Sequence, residues 1–165
     1  MSKLINFYRG TAPDTEGRTL AELWAFNDHQ MEDVHDFIQW MFPLRERSQY
    51  NPHAPVLTEA DIAAFRSDPA LLENLARSFA RFLRFLGLAL EDGRVVEGPD
   101  HASKSAVWRS PNHNWLRITR VLTSTRTLGL EAESRAFFAF LDGLYRGGTS
   151  GIDARTFGFW SSAVL

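Results

Sequence analysis

The stretch Asp68-Pro69-Ala70-Leu71-Leu72-Glu73-Asn74-Leu75-Ala76-Arg77-Ser78-Phe79-Ala80-Arg81-Phe82-Leu83-Arg84-Phe85-Leu86-Gly87 decides the fold class. Asp68 supplies a capping carboxylate, and Pro69 stands at the first helical position, where the missing N–H costs nothing. Gly87 is a helix stop. Between them Leu72, Leu75, Phe79, Leu83 and Leu86 share one face, the spacing of an amphipathic helix. Arg77, Arg81 and Arg84 fall together on the opposite face, where a solvated charged flank is expected.

The same signals recur on both sides. Residues 1–18 carry Gly10, Pro13 and Gly17 and read as an extended N-terminal arm before a helical domain over 19–165. Thr19 with Glu22 forms a capping box for a short helix bearing Leu20, Leu23, Trp24 and Phe26. Asp28 is expected to cap a helix that runs on to Pro43, with Val34, Phe37, Ile38 and Met41 as its buried stripe. Leu44 to Leu57, with Pro52 and Pro55, reads as a surface loop, and Thr58 followed by Asp61 starts a helix carrying Ile62 and Phe65. Beyond Gly87, Leu88 to Val96 broken by Asp92-Gly93 predicts a small β-hairpin. Ala102 to Arg109 predicts a short helix. Pro111-Asn112 opens another, with Ile118, Val121, Leu122 and Leu128 inward and a stop at Gly129. Glu131 to Tyr145, with Phe137, Phe138, Leu141 and Leu144, and a last helix from Asp153 through Trp160 complete the chain. The expectation is an all-α fold: a single globular domain of about seven helices with non-bundle packing.

Composition narrows the function classes. The 165 residues suffice for one large core, and 44% are hydrophobic. With no cysteine there is no disulfide frame, thiolate metal site or thiol nucleophile, which suits a cytoplasmic location. The N-terminus has no secretory pattern, and no apolar run approaches the ~18 residues of a transmembrane segment. A net charge of −2 argues against a nucleic-acid partner. Of 18 basic residues 16 are Arg, which fits a GC-rich bacterial genome or, more sharply, selection for carboxylate or phosphate recognition.

Two blocks carry most of the remaining chemistry: His35-Asp36-Phe37-Ile38-Gln39-Trp40-Met41-Phe42-Pro43 and Asn112-His113-Asn114-Trp115-Leu116-Arg117-Ile118-Thr119-Arg120. Glu32 and His35 have the i, i+3 spacing of a di-iron bundle ligand pair, but His53, His101 and His113 each lack a Glu three residues earlier. No metal and no cofactor is expected. There is no Gly-x-Ser-x-Gly elbow and no phosphate loop. Trp40 lies off the apolar stripe, either as a packing contact or as ligand surface. His35 and Gln39 would find hydrogen-bond partners in Asn112, His113 and Asn114 if the two blocks touch. Arg117 and Arg120 are i, i+3 neighbours, either a solvated flank or a carboxylate or phosphate clamp, supported by Asn114 at the helix start and by the Arg77, Arg81 and Arg84 face.

Both blocks resemble the two signatures of the opioid growth factor receptor conserved-domain family. Asn51, Ala54-Pro55, Leu86-Gly87-Leu88 and Leu128-Gly129-Leu130 fit the same pattern, so the resemblance spans roughly residues 18 to 145. The resemblance implies a domain related to receptors for the pentapeptide methionine-enkephalin, with peripheral membrane association by family analogy. It brings no catalytic residues. The expected function is a non-catalytic binding domain for a short peptide or small acidic molecule. Trp40 and Trp115 would supply aromatic surface, Arg117 and Arg120 would receive a carboxylate, and Asp33 or Asp36 would pair with an amine. His35, Gln39, Asn112, His113 and Asn114 complete the candidate site. Two alternatives stand beside it: acid–base catalysis by His35, His113 and a nearby carboxylate, and a structural or interaction module with both indoles buried.

Overall fold

The helix starts at Ser2, Thr19, Asn27, Thr58, Asn112 and Asp153 each carry a side-chain cap. In the computed structural model, which describes residues 2–165, ten helical segments and one two-stranded sheet make up the regular elements among the described residues. The chain divides into two compact units, the first ending at Arg81 and the second beginning at Phe82.

In the first unit the expected extended arm contains a helix, α1 (Lys3–Tyr8), started by the Ser2 side chain accepting from the Ile5 N–H. Leu4, Ile5, Phe7 and Tyr8 are all buried, so this turn and a half is held by packing rather than propensity. The glycines that suggested an arm belong to the turns after it, where Gly10 and Gly17 take φ of 78° and 80°. The Thr19–Glu22 capping box starts α2 (Leu20–Trp24), and the Thr58–Asp61 box starts α5 (Glu59–Ser67), both as expected. α1 packs on α5.

The predicted continuous helix from Asp28 to Pro43 does not form. Asn27, not Asp28, is the cap of α3 (Asp28–Asp33), in a reciprocal box with Gln30. Val34 is extended, with φ −88° and ψ 126°, and helix resumes only in the single turn α4 (Ile38–Met41). The backbone acceptors in the gap are taken elsewhere. The Asp36 carbonyl accepts from Asn51 and Arg18, and the His35 carbonyl accepts from the Gln39 amide. Side-chain bonds, from Gln39 nearby and from Arg18 and Asn51 distant in sequence, replace the i to i+4 ladder. Val34 is consequently half-buried, while Phe37, Ile38 and Met41 stay in the core.

α6 (Pro69–Phe85) follows Asp68, whose carboxylate accepts from the Ala70 N–H at 2.9 Å. Its buried surface is broader than the predicted face. Leu71 and Phe82 are buried with Leu75, Phe79, Leu83 and Leu86, whereas Leu72 is half-buried. The predicted solvated arginine face is therefore corrected at Arg81, which is buried.

The second unit opens on the predicted hairpin. β1 (Leu88–Glu91) pairs antiparallel with β2 (Arg94–Glu97). Asp92 and Gly93 both take positive φ, 51° and 75°, the two-residue turn that Asp-Gly favours. A 3-10 segment, Ala102–Trp108, precedes α7 (His113–Leu128), α8 (Glu131–Arg146) and α9 (Ala154–Ala163). α7 packs on both α8 and α9, and β2 packs on α8. Ile118, Val121, Leu122 and Leu128 of α7 are buried as predicted. On α8 Phe137 and Leu141 are buried, but Phe138 and Leu144 are half-buried, and Phe138 stacks on Phe157 with ring centroids 5.5 Å apart. Gly151 is required where it stands. Its N–H donates to the Trp108 carbonyl at 2.7 Å, and a Cβ there would lie 1.7 Å from the Arg109 carbonyl oxygen.

Candidate functional site

The first block is fastened by charge and amide contacts within its own unit. Asp14 is buried, and its carboxylate accepts the Glu16 and Arg18 backbone N–H groups at 2.9 Å each. The Arg18 guanidinium closes on Asp14 at 2.8 Å and reaches Asp36 at 2.8 Å with its other arm. Burial by itself lowers the Arg18 pKa, but the hydrogen bonds to Asp14 and Asp36 outweigh it and hold the guanidinium above its ordinary value. Asp36, one of the two expected amine partners, thus carries an internal cation. Asn51 completes the latch, donating to the Asp36 carbonyl at 3.2 Å and to Gln39 Oε1 at 3.4 Å. This amide side chain ties the loop after Pro43 to the block.

Gln39 is buried and also donates to the His35 carbonyl at 3.2 Å, while the His35 side chain is exposed. Asp33, the other expected amine partner, is exposed and pairs with His29 at 3.0 Å. Trp40 is only 1% exposed and meets Phe7 edge-on at 5.1 Å. The expectation that it supplies aromatic surface is corrected: its indole is core.

A second node of this unit was missed from sequence. Trp24 Nε1 donates to Ser78 Oγ at 2.9 Å, Ser78 lies 3.0 Å from the Tyr8 hydroxyl, and that hydroxyl donates to the Met41 carbonyl. Burial pushes the Tyr8 pKa well above its ordinary value of 10.0, against a smaller downward pull from Ser78. Tyr8 lay in the stretch read as an arm. Ser78 is a small hydroxyl among Leu and Phe, a pattern with no sequence signature.

The second block is built around the start of α7. Asn112 is the cap: its Oδ1 accepts from the Asn114 N–H at 2.9 Å, and its Nδ2 donates to the Val107 and Ser110 carbonyls at 2.9 Å each. His113 follows as the first helical residue and is half-buried. Trp115 is 4% exposed. Its Nε1 donates to the Val107 carbonyl at 2.7 Å, and Trp160 packs against it edge-on at 6.1 Å while donating to its carbonyl. Its expected role as ligand surface is corrected in the same way as that of Trp40. Asn114 and Arg117 do come together, with Arg117 donating to Asn114 Oδ1 at 3.3 Å from a side chain only 5% exposed. Arg120, one turn further on, is half-buried. Among the described residues no group of three His, Asp or Glu side chains converges as metal ligands would. No helix among them is long and apolar enough to cross a membrane.

Residues 4–164 match the family model described as the opioid growth factor receptor (OGFr) conserved region. The chain belongs to the opioid growth factor receptor family. It is similar to the human opioid growth factor receptor, with 42% identity over 113 residues, covering 66% of this chain and 16% of that protein. It is also similar to opioid growth factor receptor-like protein 1 of Xenopus tropicalis, 32% identical over 133 residues, which cover 77% of this chain and 26% of the relative. The mouse receptor-like protein 1 is 29% identical over 143 residues, 83% of this chain and 31% of the relative. The chain therefore spans less than a third of the length of these relatives. No solved structure matches it. Within the family domain, the first block supplies a turn (Asp36 and Gln39) latched from outside it by Arg18 and Asn51, and the second a capped helix start (Asn112, Asn114 and Arg117).

Proposed function

We propose that this opioid growth factor receptor-family domain is a non-catalytic binding module for a short peptide or small acidic molecule, working in the cytoplasm. The observation that carries the reading is the α7 start, where Asn114 orients the Arg117 guanidinium and Arg120 follows on the same helix. Planar guanidinium groups held in place suit carboxylate recognition. The word receptor in the names of the relatives supports a ligand, and the arginine-rich composition supports a bacterial source. With Trp115 in the core, the recognition chemistry at the α7 start rests on charge and amide groups (Asn112, His113, Asn114, Arg117 and Arg120) rather than on an indole platform.

Isothermal titration calorimetry with methionine-enkephalin as the free acid and as the C-terminal amide tests this. The acid is expected to bind at least about tenfold more tightly, the worth of one charge-assisted pair of ~1.4 kcal/mol. Arg120→Ala is expected to remove that preference. Equal binding of acid and amide would reject the clamp. The burial of both indoles favours a second reading, an interaction module that binds a larger protein surface. Absence of heat with either peptide would leave that reading in place of the first.

A further inference from the structure

The guanidinium of Arg81 sits where the helix pattern called for solvent. It is only 6% exposed and is held by its NH2 group, which donates to the Phe26 carbonyl at 2.7 Å and to Asp28 Oδ1 at 3.0 Å. The other two nitrogens, Nε and NH1, are shut off from water and have no acceptor. A guanidinium keeps its charge at any working pH and carries five N–H donors in a rigid fork. Folded interiors pair nearly all such groups, because a buried unpaired donor forfeits its hydration without recompense.

We propose that Arg81 receives the carboxylate of a ligand and that Asp28 is an internal stand-in which the ligand displaces. Of the Arg81 guanidinium Asp28 engages one nitrogen only, and its side chain is 43% exposed. Its release returns a carboxylate to water at the first residue of α3, where the helix start favours negative charge. An incoming carboxylate bridging NH1 and NH2 makes two parallel hydrogen bonds where Asp28 makes one, and it supplies NH1 with an acceptor. One helical turn earlier, Arg77 is exposed and lies 4.2 Å over the Trp24 ring, which leaves Arg81 as the buried cation of this site. A single buried cation matches a monoanion, which selects a carboxylate over a phosphate dianion. The site uses residues of the first unit only and does not depend on the reading of Arg117 and Arg120.

The test is a titration of the full chain with N-acetyl-glycylglycine as the acid and as the amide, following the Arg81 Nε–H signal by nitrogen-15 NMR. The acid is expected to shift that signal saturably and the amide to leave it in place. Asp28→Asn, which removes the competing charge, is expected to tighten binding about two- to fivefold, the worth of a half-exposed ion pair. Arg81→Met is expected to melt as cooperatively as the parent, since apolar replacement of a half-paired buried ion is tolerated, and to lose the acid response. An Arg81 signal unmoved by the acid, equal shifts from acid and amide, or weaker binding by Asp28→Asn would each overturn the proposal. If Arg81→Met fails to fold, the titrations of the parent and of Asp28→Asn decide it alone.

Discussion

The chain of hydroxyl groups at Tyr8 has a direction that can be tested. The Tyr8 hydroxyl holds one proton and has two oxygen neighbours, the Met41 carbonyl and Ser78 Oγ. A carbonyl cannot donate, so the proton must go to Met41, and Ser78 must donate to Tyr8 while accepting from Trp24 Nε1. The order is Trp24 to Ser78 to Tyr8 to Met41. Tyr8→Phe leaves two buried groups without their partner, the Met41 carbonyl and the Ser78 hydroxyl. At ~1–1.5 kcal/mol for each, the loss is about 2–3 kcal/mol. Ser78→Ala leaves the bond from Tyr8 to Met41 intact and strands only Trp24 Nε1, on a half-buried ring that water can reach. Its cost is about 1 kcal/mol. The double variant is expected to fall short of additivity by about 1 kcal/mol, since both changes remove the same bond. Urea denaturation followed by tryptophan fluorescence measures all four corners of the cycle. A Ser78→Ala loss equal to or larger than that of Tyr8→Phe, or strict additivity, would refute the directed chain.

Three further outcomes follow from other contacts. Arg18→Ala removes the counter-ion of buried Asp14 and the tie to Asp36, and is expected to cost about 3 kcal/mol in urea denaturation; Asp14→Asn in the same background should recover part of it. Gly151→Ala drives a Cβ into the Arg109 carbonyl and is expected to cost at least ~3 kcal/mol, seen as a lowered thermal midpoint, whereas Gly143→Ala, with open space around its Cβ position, should not. Asp68 and Asp153 are held below the ordinary 3.8, chiefly by the Ala70 and Thr156 backbone N–H groups. Their contribution is complete above the unfolded value and is lost as pH falls through the lower folded values. Circular dichroism between pH 5 and 2 should therefore show acid lability that weakens in Asp68→Ala and Asp153→Ala.

What the sequence disclosed and what it withheld divide by range. The boxes at Thr19–Glu22 and Thr58–Asp61, the Asn112 cap, the Gly129 stop and the Asp92-Gly93 turn are decided within four residues, and each stands where the local pattern puts it. The interrupted helix between Asp28 and Pro43 is decided by Arg18 and Asn51, which lie 18 and 15 residues from Asp36. No periodicity within the block records that its Asp36 carbonyl is claimed from outside. Arg81 follows the same logic: spacing put it on a polar face, but the Phe26 carbonyl 55 residues away draws it inward. The candidate site is made of the same kind of information. Asn112 as the opening of a helix, and Asn114 beside Arg117, were legible because they are neighbours in sequence. The burial of Trp40 and Trp115 depends on Phe7, Val107 and Trp160, and a tryptophan off its apolar stripe carries no mark of which neighbours will cover it. A latch such as Asp14–Arg18–Asp36–Asn51 joins a turn and a loop to one block. A substitution at Asn51 should therefore alter the shape of residues 34–37 as well as that of the loop. It acts through the Asp36 carbonyl, which is then left with only the longer 3.4 Å contact from Arg18, so that the helical ladder competes again for the segment.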